Sequence, residues 1–468
     1  MKMLTTEQIA QMAGGTANGY AEITSVVIDN REVVPGALFI AIKGERLDGH
    51  VFIQSAVEAG AAAVMAHKDI SCDVPVIRVD DTHRAFLNLA KNYRLTYGET
   101  IEEFPLVALT GSVGKTTTKE MIWCVLNAEY NAHKTYMNWN NDIGLPRVLL
   151  GMEAEHTAAV IEMGMDDKGQ ISVLTRTALP NMAVITNIGV SHIENLGSRE
   201  GILASKLEIV EGLRPGSSLI LNADNDLLGT LTAEDFDNRF NLVFFGINKG
   251  DVRAKDIVYT DDGTEFTLMY SDLTEELEYK VKLPTTGEHN VYDALAAVCV
   301  GLQLGIEVQD IALALQNYVP AGMREKITDI SGVTLIEDCY NASPDSVKAL
   351  SQTIAIKGSS GKRKIAVIAD MLELGDYSEE AHRNCGKYLA DAGIDLLMTY
   401  GEKAKFVAEA AKENGIIRIF SFDDKNELSS KLASLMKPGD VIAFKGSRGM
   451  KLEDVIEQVK ETLEKGEF

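Results

Sequence analysis

Short apolar runs alternate with amphipathic stretches along the chain, and most of these runs have the length of a buried β-strand. Residues 106–109 are four consecutive apolar residues, and residues 116–130 are mostly good helix formers. The same alternation continues through the middle of the chain and recurs near its end. It predicts strands at 25–30, 37–42, 62–65, 106–109, 158–161, 182–188, 218–221, 242–245, 333–336, 364–369, 396–399, 417–421 and 441–444, and helices at 52–59, 83–97, 116–130, 199–213 and 291–304.

This alternation predicts an α/β fold, and a length of 468 residues suggests about three domains. The polar, acidic stretch 98–104 indicates a linker. We therefore expect a small α/β domain at 1–100, a central parallel-sheet domain at 101–318 and a doubly wound, Rossmann-like domain at 319–468. The last domain has no G-x-G-x-x-G after its strands, which weakens a dinucleotide-binding interpretation.

The turn between the strand at 106–109 and the helix at 116–130 carries the first candidate chemistry. In the sequence LVALTGSVGKTTTKEM, backbone N–H groups and the helix N-terminus would face a polyphosphate. Lys115 would reach the β- and γ-phosphates, and the Thr116 hydroxyl would bind Mg²⁺. Leu109 stands where the usual pattern has its first glycine. The residues expected to contact ATP here are Thr110, Gly111, Ser112, Val113, Gly114, Lys115, Thr116 and Thr117.

Two further strands of the central domain lead to candidate metal ligands. Glu162 follows the strand at 158–161, and the strand at 182–188 leads through a glycine to His192. Ligands gather at the carboxyl ends of parallel strands, so we expect both side chains on the same rim as the phosphates. A carboxylate suits Mg²⁺, and a neutral imidazole can ligate a second ion.

The helix predicted at 199–213 has a lysine on its apolar side. Apolar residues recur at three- and four-residue spacing, and Lys206 falls on their stripe. Either this side chain snorkels to solvent, or its amine is desolvated. A desolvated amine titrates lower and can react with CO₂ to give a carbamate that bridges metal ions. The residues alone leave both interpretations open.

Other polar residues stand at loop positions where a ligand would lie. Asn290 precedes the helix at 291–304, as either an N-cap or a nucleotide contact. Asp338 follows the strand at 333–336 and could hold a ribose hydroxyl pair. The last strand leads into a basic loop with Lys445 and Arg448, which could face phosphates. Taken alone, the polar residues at 29–31 and 43–50 are ordinary loop residues.

Composition narrows the class of partner. The formal net charge is −24, so nucleic acid or an anionic membrane would be repelled. The five cysteines include no C-x-x-C pair, which argues against a zinc or redox motif and fits a reducing compartment. The sequence has neither a signal-peptide core nor an apolar run of about 18 residues. We therefore expect a cytoplasmic protein without membrane insertion.

Eight motifs occur in order along almost the whole chain: TGSVGKTTTKEM, NWNNDIGLP, EMG, NIGVSHIENLGS, SKLEI, GEHN, DCYNASPDS and DMLELG. Together they resemble the ATP-dependent Mur ligases of peptidoglycan synthesis. The resemblance implies a three-domain fold and an amide ligase that works through an acyl phosphate. The segment YNASPDS is similar to that of members that add D-alanyl-D-alanine to UDP-MurNAc-tripeptide, and the D-N-P-R motif of the diamino-acid adders is absent.

The resemblance also implies roles for individual residues. Lys115, Glu162, His192 and Lys206 would be catalytic, with Thr116, Glu162, His192 and a carbamylated Lys206 holding two Mg²⁺ ions. Nucleotide contacts beyond the glycine-rich turn would come from Asn290, Arg324, Asp338, Asn341, Lys445 and Arg448. The UDP-sugar substrate would contact Asp29, Asn30, Arg31, Lys43, Arg46, Asp48, His50, Asn140 and Asn141. A monomer is expected.

Two positions depart from the family pattern. Met137 stands where the family usually has glycine, which leaves the turn geometry there open, and Ala369 replaces the glycine before DMLELG. Two alternatives also stay open: a sibling ligase with another amino acid or carboxylate substrate, and a switch or scaffold protein that hydrolyses ATP. The sequence does not specify the third residue of the stem peptide or the dipeptide selectivity.

Overall fold

The computed structural model describes residues 1–44, 46–260, 262–271, 275–320 and 322–466. In these residues the chain forms three large sheets with helices packed against them, and one small two-stranded sheet near the N-terminus. The predicted α/β fold class is confirmed. No helix in the described ranges is long and apolar enough to cross a lipid bilayer.

The described residues of the N-terminal region form ten helices and strands and two short 3-10 helices, at Asn30–Glu32 and Gly49–Phe52. The elements are β1 Leu4–Thr5, α1 Thr6–Ala13, β2 Thr16–Ala17, β3 Glu22–Ile23, β4 Ser25–Val27, β5 Ala37–Ile40, α2 Ile53–Glu58, β6 Ala63–Ala66, β7 Val76–Arg78 and α3 Thr82–Leu95. Five of the strands form a sheet in the order β2-β7-β6-β5-β4, in which β4 to β7 are parallel. Strands β5 and β6 are buried along their full length, as is typical of parallel strands covered on both faces.

In the described part of the central region there are sixteen helices and strands. They are β8 Leu106–Thr110, α4 Lys115–Leu126, β9 Ala132–Lys134, α5 Gly144–Leu150, β10 Ala158–Glu162, α6 Gln170–Ala178, β11 Met182–Ile185, α7 Ile193–Leu196, α8 Arg199–Leu207, β12 Ser218–Asn222, β13 Asn241–Gly246, β14 Val252–Thr260, β15 Gly263–Ser271, β16 Glu276–Leu283, α9 Glu288–Gln303 and α10 Val308–Gln316. The nine strands form one sheet in the order β16-β15-β14-β13-β12-β11-β8-β10-β9. Strand β8 therefore lies between β11 and β10, and both neighbours are parallel to it.

This strand order explains where the candidate site forms. Glu162 pairs with Leu109 in the ladder between β10 and β8, and Ile185 pairs with Thr110 in the ladder between β11 and β8. The three strands thus end at the same edge of the sheet. The loops that follow them share one rim, as expected for an open parallel sheet.

Between residues 322 and 466, the C-terminal region has eleven helices and strands. They are β17 Lys326–Ile330, β18 Val333–Glu337, α11 Pro344–Lys357, β19 Lys364–Ala369, α12 Ser378–Asp391, β20 Leu396–Tyr400, α13 Ala404–Glu413, β21 Ile419–Phe422, α14 Lys425–Ala433, β22 Val441–Lys445 and α15 Glu453–Lys465. The sheet order is β17-β18-β22-β19-β20-β21, and all pairs except β17 with β18 are parallel.

The apolar cores divide the molecule unevenly. One core runs continuously from Phe86 and Tyr93 of α3 to Leu106 of β8 and Leu145 of α5. The Tyr93 hydroxyl also donates a hydrogen bond to the carbonyl of Met152, 2.5 Å away. The C-terminal sheet has two separate cores of its own, one on each face. The N-terminal and central regions are therefore packed together as one body, whereas the C-terminal region has an independent interior.

Several predicted elements differ from the structure. The helix predicted at 199–213 is α8 followed by a 3-10 turn at Glu208–Gly212. The antiparallel strands β14 to β16 were not predicted, because their alternating polar and apolar residues lack the continuous apolar runs of the parallel strands. Asn290 is not an N-cap, since α9 begins two residues before it and Gly287 occupies the cap position.

Candidate active site

The glycine-rich turn after β8 has the close approaches that only glycine allows. A Cβ atom at Gly111 would lie 1.8 Å from Oγ1 of Thr186, and one at Gly114 would lie 2.6 Å from Oδ1 of Asp293. Gly114 also has φ of +81°, in the left-handed region that side-chain-bearing residues avoid. Both glycines of the turn are therefore required by its geometry.

The loop after β11 holds the turn from the other side. Oδ1 of Asn187 accepts hydrogen bonds from the N–H groups of Ser112 and Val113, at 3.1 and 3.0 Å. The hydroxyl of Thr186 donates to the carbonyl of Val113 at 2.7 Å. Asn187 was not among the predicted site residues, although it begins the quoted motif NIGVSHIENLGS. The loop that follows β11 thus holds the glycine-rich turn in place.

Lys115, the lysine of the turn, folds back over the loop. Its Nζ donates to the carbonyl of Gly111 at 2.8 Å and lies 3.4 Å from the carbonyl of Ser112. Burial lowers the pKa of Lys115, and the nearby charge of Glu162 partly opposes this effect. An anion placed in the turn would replace the carbonyl contacts of the amine with a charge-assisted hydrogen bond.

Glu162 is a buried carboxylate at the end of β10, and both of its oxygens have donors. The hydroxyl of Thr116 donates to Oε2 at 2.9 Å, and Nδ2 of Asn140 donates to Oε1 at 2.9 Å. Its backbone N–H is bound by Oγ1 of Thr135. The predicted metal ligands Thr116 and Glu162 are therefore adjacent, with oxygen atoms of the type that Mg²⁺ prefers.

His192 caps the short helix α7 and has φ of 63°. Its Nδ1 lies 2.8 Å from Oε2 of Glu373 and 3.4 Å from Oδ1 of Asp166. These three side chains offer ligand atoms within 4.8 Å of one another, so they could hold a metal ion. Sequence reasoning missed both carboxylates, although Glu373 belongs to the quoted motif DMLELG. Burial, followed by the charge of Lys115, lowers the pKa of His192 and favours a neutral imidazole.

Lys206 is buried at the end of α8, with 2% of its surface exposed. The snorkelling interpretation is therefore wrong. Burial, followed by the positive charge of Lys115, brings the pKa of Lys206 well below its ordinary value. In the part of the chain that the structure describes, the amine makes neither a hydrogen bond nor an ion pair. A neutral buried amine is chemically suited to react with CO₂.

A cleft of about 1100 Å³ is lined by residues of the central and C-terminal regions. It is lined by residues of the glycine-rich turn, by Glu162 and His192, and by Asn140 and Asn141. The same cleft is lined by all six of the other predicted nucleotide contacts: Asn290, Arg324, Asp338, Asn341, Lys445 and Arg448. The structure thus gathers into one cleft residues that are more than 300 positions apart in the sequence.

Two of the C-terminal residues bind each other. Nζ of Lys445 lies 2.5 Å from Oδ2 of Asp338, and both side chains are almost fully buried. Burial raises the pKa of Asp338, and the charge of Lys445 opposes this effect. Arg324 stacks on the ring of Tyr340, with 4.3 Å between its Cζ and the ring centroid, and the Cζ of Arg448 lies 6.0 Å from the same centroid. Tyr340, another missed residue, gives this wall of the cleft a flat aromatic surface.

Asn290 and the segment before β17 form a second cluster at this wall. Nδ2 of Asn290 donates to Oε2 of Glu325 at 2.8 Å, and Nε2 of His289 lies 3.0 Å from Oε1. Thr353 of α11 donates to the same carboxylate at 2.8 Å. Glu325 therefore joins α9 of the central region to α11 of the C-terminal region.

The predicted sugar-binding residues of the N-terminal loops lie outside the cleft. Asp29 caps the turn at Arg31 and pairs with its guanidinium, while Asn30 donates to Ser55 at 3.1 Å. Asp48 contacts Nδ1 of His50 at 2.7 Å and Nζ of Lys68 at 2.5 Å. The backbones of Lys43 and Asp48 form an isolated antiparallel β-bridge, and Arg46 is exposed. Glu45, in the same loop, lies outside the described residues. Among the described residues, these loops form a separate polar surface on the body that also carries the glycine-rich turn.

Comparison with known proteins agrees with this arrangement. Family models match the chain at residues 22–94 (Mur ligase family, catalytic domain), 109–301 (Mur ligase middle domain) and 323–448 (Mur ligase, glutamate ligase domain). A relative from Bacillus subtilis, the UDP-N-acetylmuramoyl-tripeptide–D-alanyl-D-alanine ligase, is 41% identical over 98% of both chains. The chain belongs to the Mur ligase family. Family membership makes it an ATP-dependent ligase.

Solved structures of Mur ligases show the same three-part arrangement. MurF from Acinetobacter baumannii has a TM-score of 0.90 and 30% identity, covering 98% of this chain and 99% of that one. MurF from Thermotoga maritima, in complex with ADP, has a TM-score of 0.82 and 29% identity, covering 94% and 98% of the two chains. The ADP complex supports ATP as the nucleotide of this Mur ligase.

Proposed function

We propose that this Mur ligase joins D-alanyl-D-alanine to UDP-N-acetylmuramoyl-tripeptide, using ATP and releasing ADP and phosphate. The observation that carries the proposal is the cleft in which the glycine-rich turn and Glu162 face His192 and Glu373. The B. subtilis relative is named for this reaction, and its match extends over nearly the whole of both chains. The YNASPDS segment lines the same cleft.

The reaction has two transfers. A carboxylate oxygen of the tripeptide attacks the γ-phosphorus of ATP, so that the bond to the β-phosphate oxygen breaks and ADP leaves with its electron pair. The amine of D-alanyl-D-alanine then attacks the acyl carbon, the bond to the phosphate oxygen breaks, and the amine loses a proton. Neither transfer needs a nucleophilic side chain, so the residues act by positioning the reactants and neutralising charge.

The residues around the turn fit these requirements. The N–H groups of the turn and the N-terminus of α4 would hold the phosphates of ATP, and Lys115 would move from its carbonyl contacts to the transferring phosphate. Thr116 and Glu162 would hold a first Mg²⁺ ion, and His192 a second. When bound, these ions would neutralise the phosphate charge. The neutral imidazole of His192 is suited to ligation.

Lys206 fits a carbamate. The nitrogen of a neutral amine forms a bond to the carbon of CO₂, one C=O π pair becomes the carbamate oxyanion, and the nitrogen releases a proton to solvent, so that an anionic group replaces a neutral amine. The burial of Lys206 and the depressed pKa of its amine both favour this reaction. We propose that the resulting carboxylate-like group serves as a further ligand of the ions. Carbon-13 NMR of the protein under ¹³CO₂ should show one carbamate signal, and that signal should be missing in Lys206→Met.

We propose the same three-part division for the binding functions. Residues 1–100 would bind the UDP-sugar through Asp29, Asn30, Arg31, Lys43, Arg46, Asp48 and His50, with Asn140 and Asn141 contributing from the central region. Residues 101–318 would bind ATP, and residues 319–468 would add Asn341, Asp338, Lys445 and Arg448. A monomeric state and a cytoplasmic location stay predictions.

The separate interior of the C-terminal region supports closure of that region over the substrates. Two of its contacts with the central region are polar: Glu373 with His192, and Glu325 with Asn290. Polar interfaces of this kind are typical of regions that move relative to one another. Small-angle X-ray scattering should show a smaller radius of gyration with ATP analogue and UDP-substrate bound, and an unchanged radius would refute closure.

The function is tested by ATP-dependent phosphate release at constant UDP-MurNAc-tripeptide, with D-alanyl-D-alanine present or absent. We expect release only when both substrates are present, and mass spectrometry should show a product heavier by one dipeptide residue. Release that needs a different amino component would indicate a sibling ligase. Release without any acceptor would indicate a switch or scaffold protein.

A further inference from the structure

Arg147 of α5 makes two contacts of different kinds, one with an aromatic ring and one with a carboxylate. Its Cζ lies 3.8 Å from the centroid of the Trp139 ring, and its Nη2 lies 2.6 Å from Oε2 of Glu32 in the N-terminal region. Its side chain is only 18% exposed. A planar guanidinium can stack on an aromatic face while it donates within its own plane, so one arginine serves both contacts.

Trp139 belongs to segment 136–142, which crosses from this contact to the metal site. In the same segment, Nδ2 of Asn140 donates to Oε1 of Glu162 at 2.9 Å, and the carbonyl of Asn140 accepts from the N–H of Gly164 at 2.8 Å. Oε2 of Glu162 is held by Thr116. One of the two donors that orient the metal-binding carboxylate is therefore supplied by segment 136–142.

The segment has a second tie to the N-terminal region, and it packs tightly on α5. Oδ2 of Asp142 lies 3.0 Å from Nε2 of His83 on α3. A Cβ atom at Gly144 would lie 2.4 Å from Cα of Trp139, so the segment rests directly on the start of the helix that carries Arg147. A shift of Arg147 would therefore displace the whole of segment 136–142.

We infer that Arg147 is a positioning residue that couples the sugar-nucleotide loop of the N-terminal region to the metal ligand Glu162 through segment 136–142. Glu32 ends the turn that contains Asn30 and Arg31, and it is held by the edge of the Arg147 guanidinium. The face of the same guanidinium stacks on the ring of Trp139, and the next residue, Asn140, donates a hydrogen bond to Glu162. The same side chain therefore orders a surface proposed for the UDP-sugar and an oxygen proposed for Mg²⁺. The inference rests on the proposed function.

The test compares steady-state kinetics of Arg147→Met with the wild type. Methionine keeps much of the apolar stem and removes both the charge and the planar donor group. We expect the KM for UDP-MurNAc-tripeptide and the Mg²⁺ concentration for half-maximal rate each to rise about tenfold, the size expected for losing a hydrogen bond to a charged group. The KM for ATP and the melting temperature should stay unchanged. Arg147→Lys retains a charge but has no planar group that can stack on Trp139 and donate to Glu32 together, so it should recover only part of the loss.

Two further variants separate the arms of the contact and remain informative if Arg147→Met does not fold. Glu32→Gln should raise the KM for the UDP-substrate alone, and Trp139→Leu should raise the Mg²⁺ requirement. Wild-type kinetics in Arg147→Met, a change in only one of its two constants, or a loss confined to kcat and melting temperature would overturn the inference. If the wild type itself shows no dipeptide-dependent phosphate release, the proposed function fails instead.

Discussion

The Thr116 hydroxyl donates a hydrogen bond of 2.9 Å to Oε2 of Glu162, joining the first turn of α4 to the end of the neighbouring strand β10. The two residues are 46 positions apart, and the contact exists because β8 and β10 are adjacent and parallel. It places a hydroxyl and a carboxylate, the two proposed ligands of the first Mg²⁺ ion, side by side at the mouth of the phosphate-binding turn.

Replacing this carboxylate should affect the metal requirement more than the fold. Glu162→Gln keeps an acceptor for Thr116 and removes the negative charge, so we expect the Mg²⁺ concentration for half-maximal rate to rise at least about tenfold and kcat to fall about 100-fold. Mg²⁺ titrations of phosphate release measure both. Glu129→Gln makes the same charge change on an exposed turn and should behave like the wild type. Equal kinetics in the two variants would contradict the assignment.

A methyl group at Gly111 should abolish nucleotide binding. The added Cβ would lie 1.8 Å from Oγ1 of Thr186 and 3.1 Å from its Cβ, so the turn must move away from β11. We expect Gly111→Ala to weaken ATP binding at least about 100-fold, measured by calorimetry, because displaced N–H groups no longer converge on the phosphates.

The matched double variant tests the reason for this loss. The double variant Gly111→Ala with Thr186→Ala removes the clashing hydroxyl. The nearest remaining atom to the added Cβ is then Cβ of residue 186, at 3.1 Å. It should regain a large part of the ATP affinity, whereas Thr186→Ala alone loses only the hydrogen bond to Val113. A double variant that binds no better than Gly111→Ala would show that the glycine is needed for another reason.

Met137 should be a site of stored backbone strain. It has φ of 49°, and its side chain is exposed, so little packing would be lost on its removal. Met137→Gly relieves a left-handed conformation that costs an L-residue about 1 kcal/mol, and we expect a melting temperature about 1 to 3 °C higher. Asn138→Gly, next to it without a positive φ, should give no increase. An unchanged or lower melting temperature in Met137→Gly would refute the strain.

The contact between His289 and Glu325 should make stability depend on pH. Burial lowers the pKa of His289, but the charge and hydrogen bond of Glu325 outweigh burial and raise it to about 9. Because the pKa is higher in the folded state than the ordinary 6.5, this contribution is complete below about pH 6.5 and is lost as the pH rises towards 9. Glu325 itself has a lowered pKa, because its bonds to His289, Asn290 and Thr353 outweigh burial.

Thermal unfolding of the wild type and of His289→Gln between pH 6 and pH 9.5 measures this contribution. The difference in melting temperature should be largest near pH 6 and should shrink towards pH 9.5. Glu325→Gln should show a similar loss of pH dependence, because it removes the partner of the imidazolium. A difference that grows with pH would have the wrong sign and would exclude this ion pair as the cause.

Local sequence determined the parallel strands and the phosphate-binding turn. A continuous apolar run such as 106–109 is kept from water only when both faces of its strand are buried. A glycine-rich turn between such a strand and a helix has few alternative conformations. For the same reason Glu162 and His192 could be placed at strand ends. The order of the motifs along the chain then identified the family. Eight motif matches in the family's order can be recognised without knowing how the chain folds.

Tertiary structure decided everything that depends on which elements become neighbours. The pairing of Glu373 with His192 joins residues 181 positions apart, counted from 192 to 373, and nothing local to either residue predicts it. The burial of Lys206 likewise depends on what packs over α8, so the sequence alone left the snorkelling and desolvated states open. Asn290 lies inside α9 rather than at its N-cap, and its amide donates a hydrogen bond to Glu325. The sequence determines which functional groups the side chains carry. Long-range packing determines their charge states and partners, because it sets solvent access and the distances between charges.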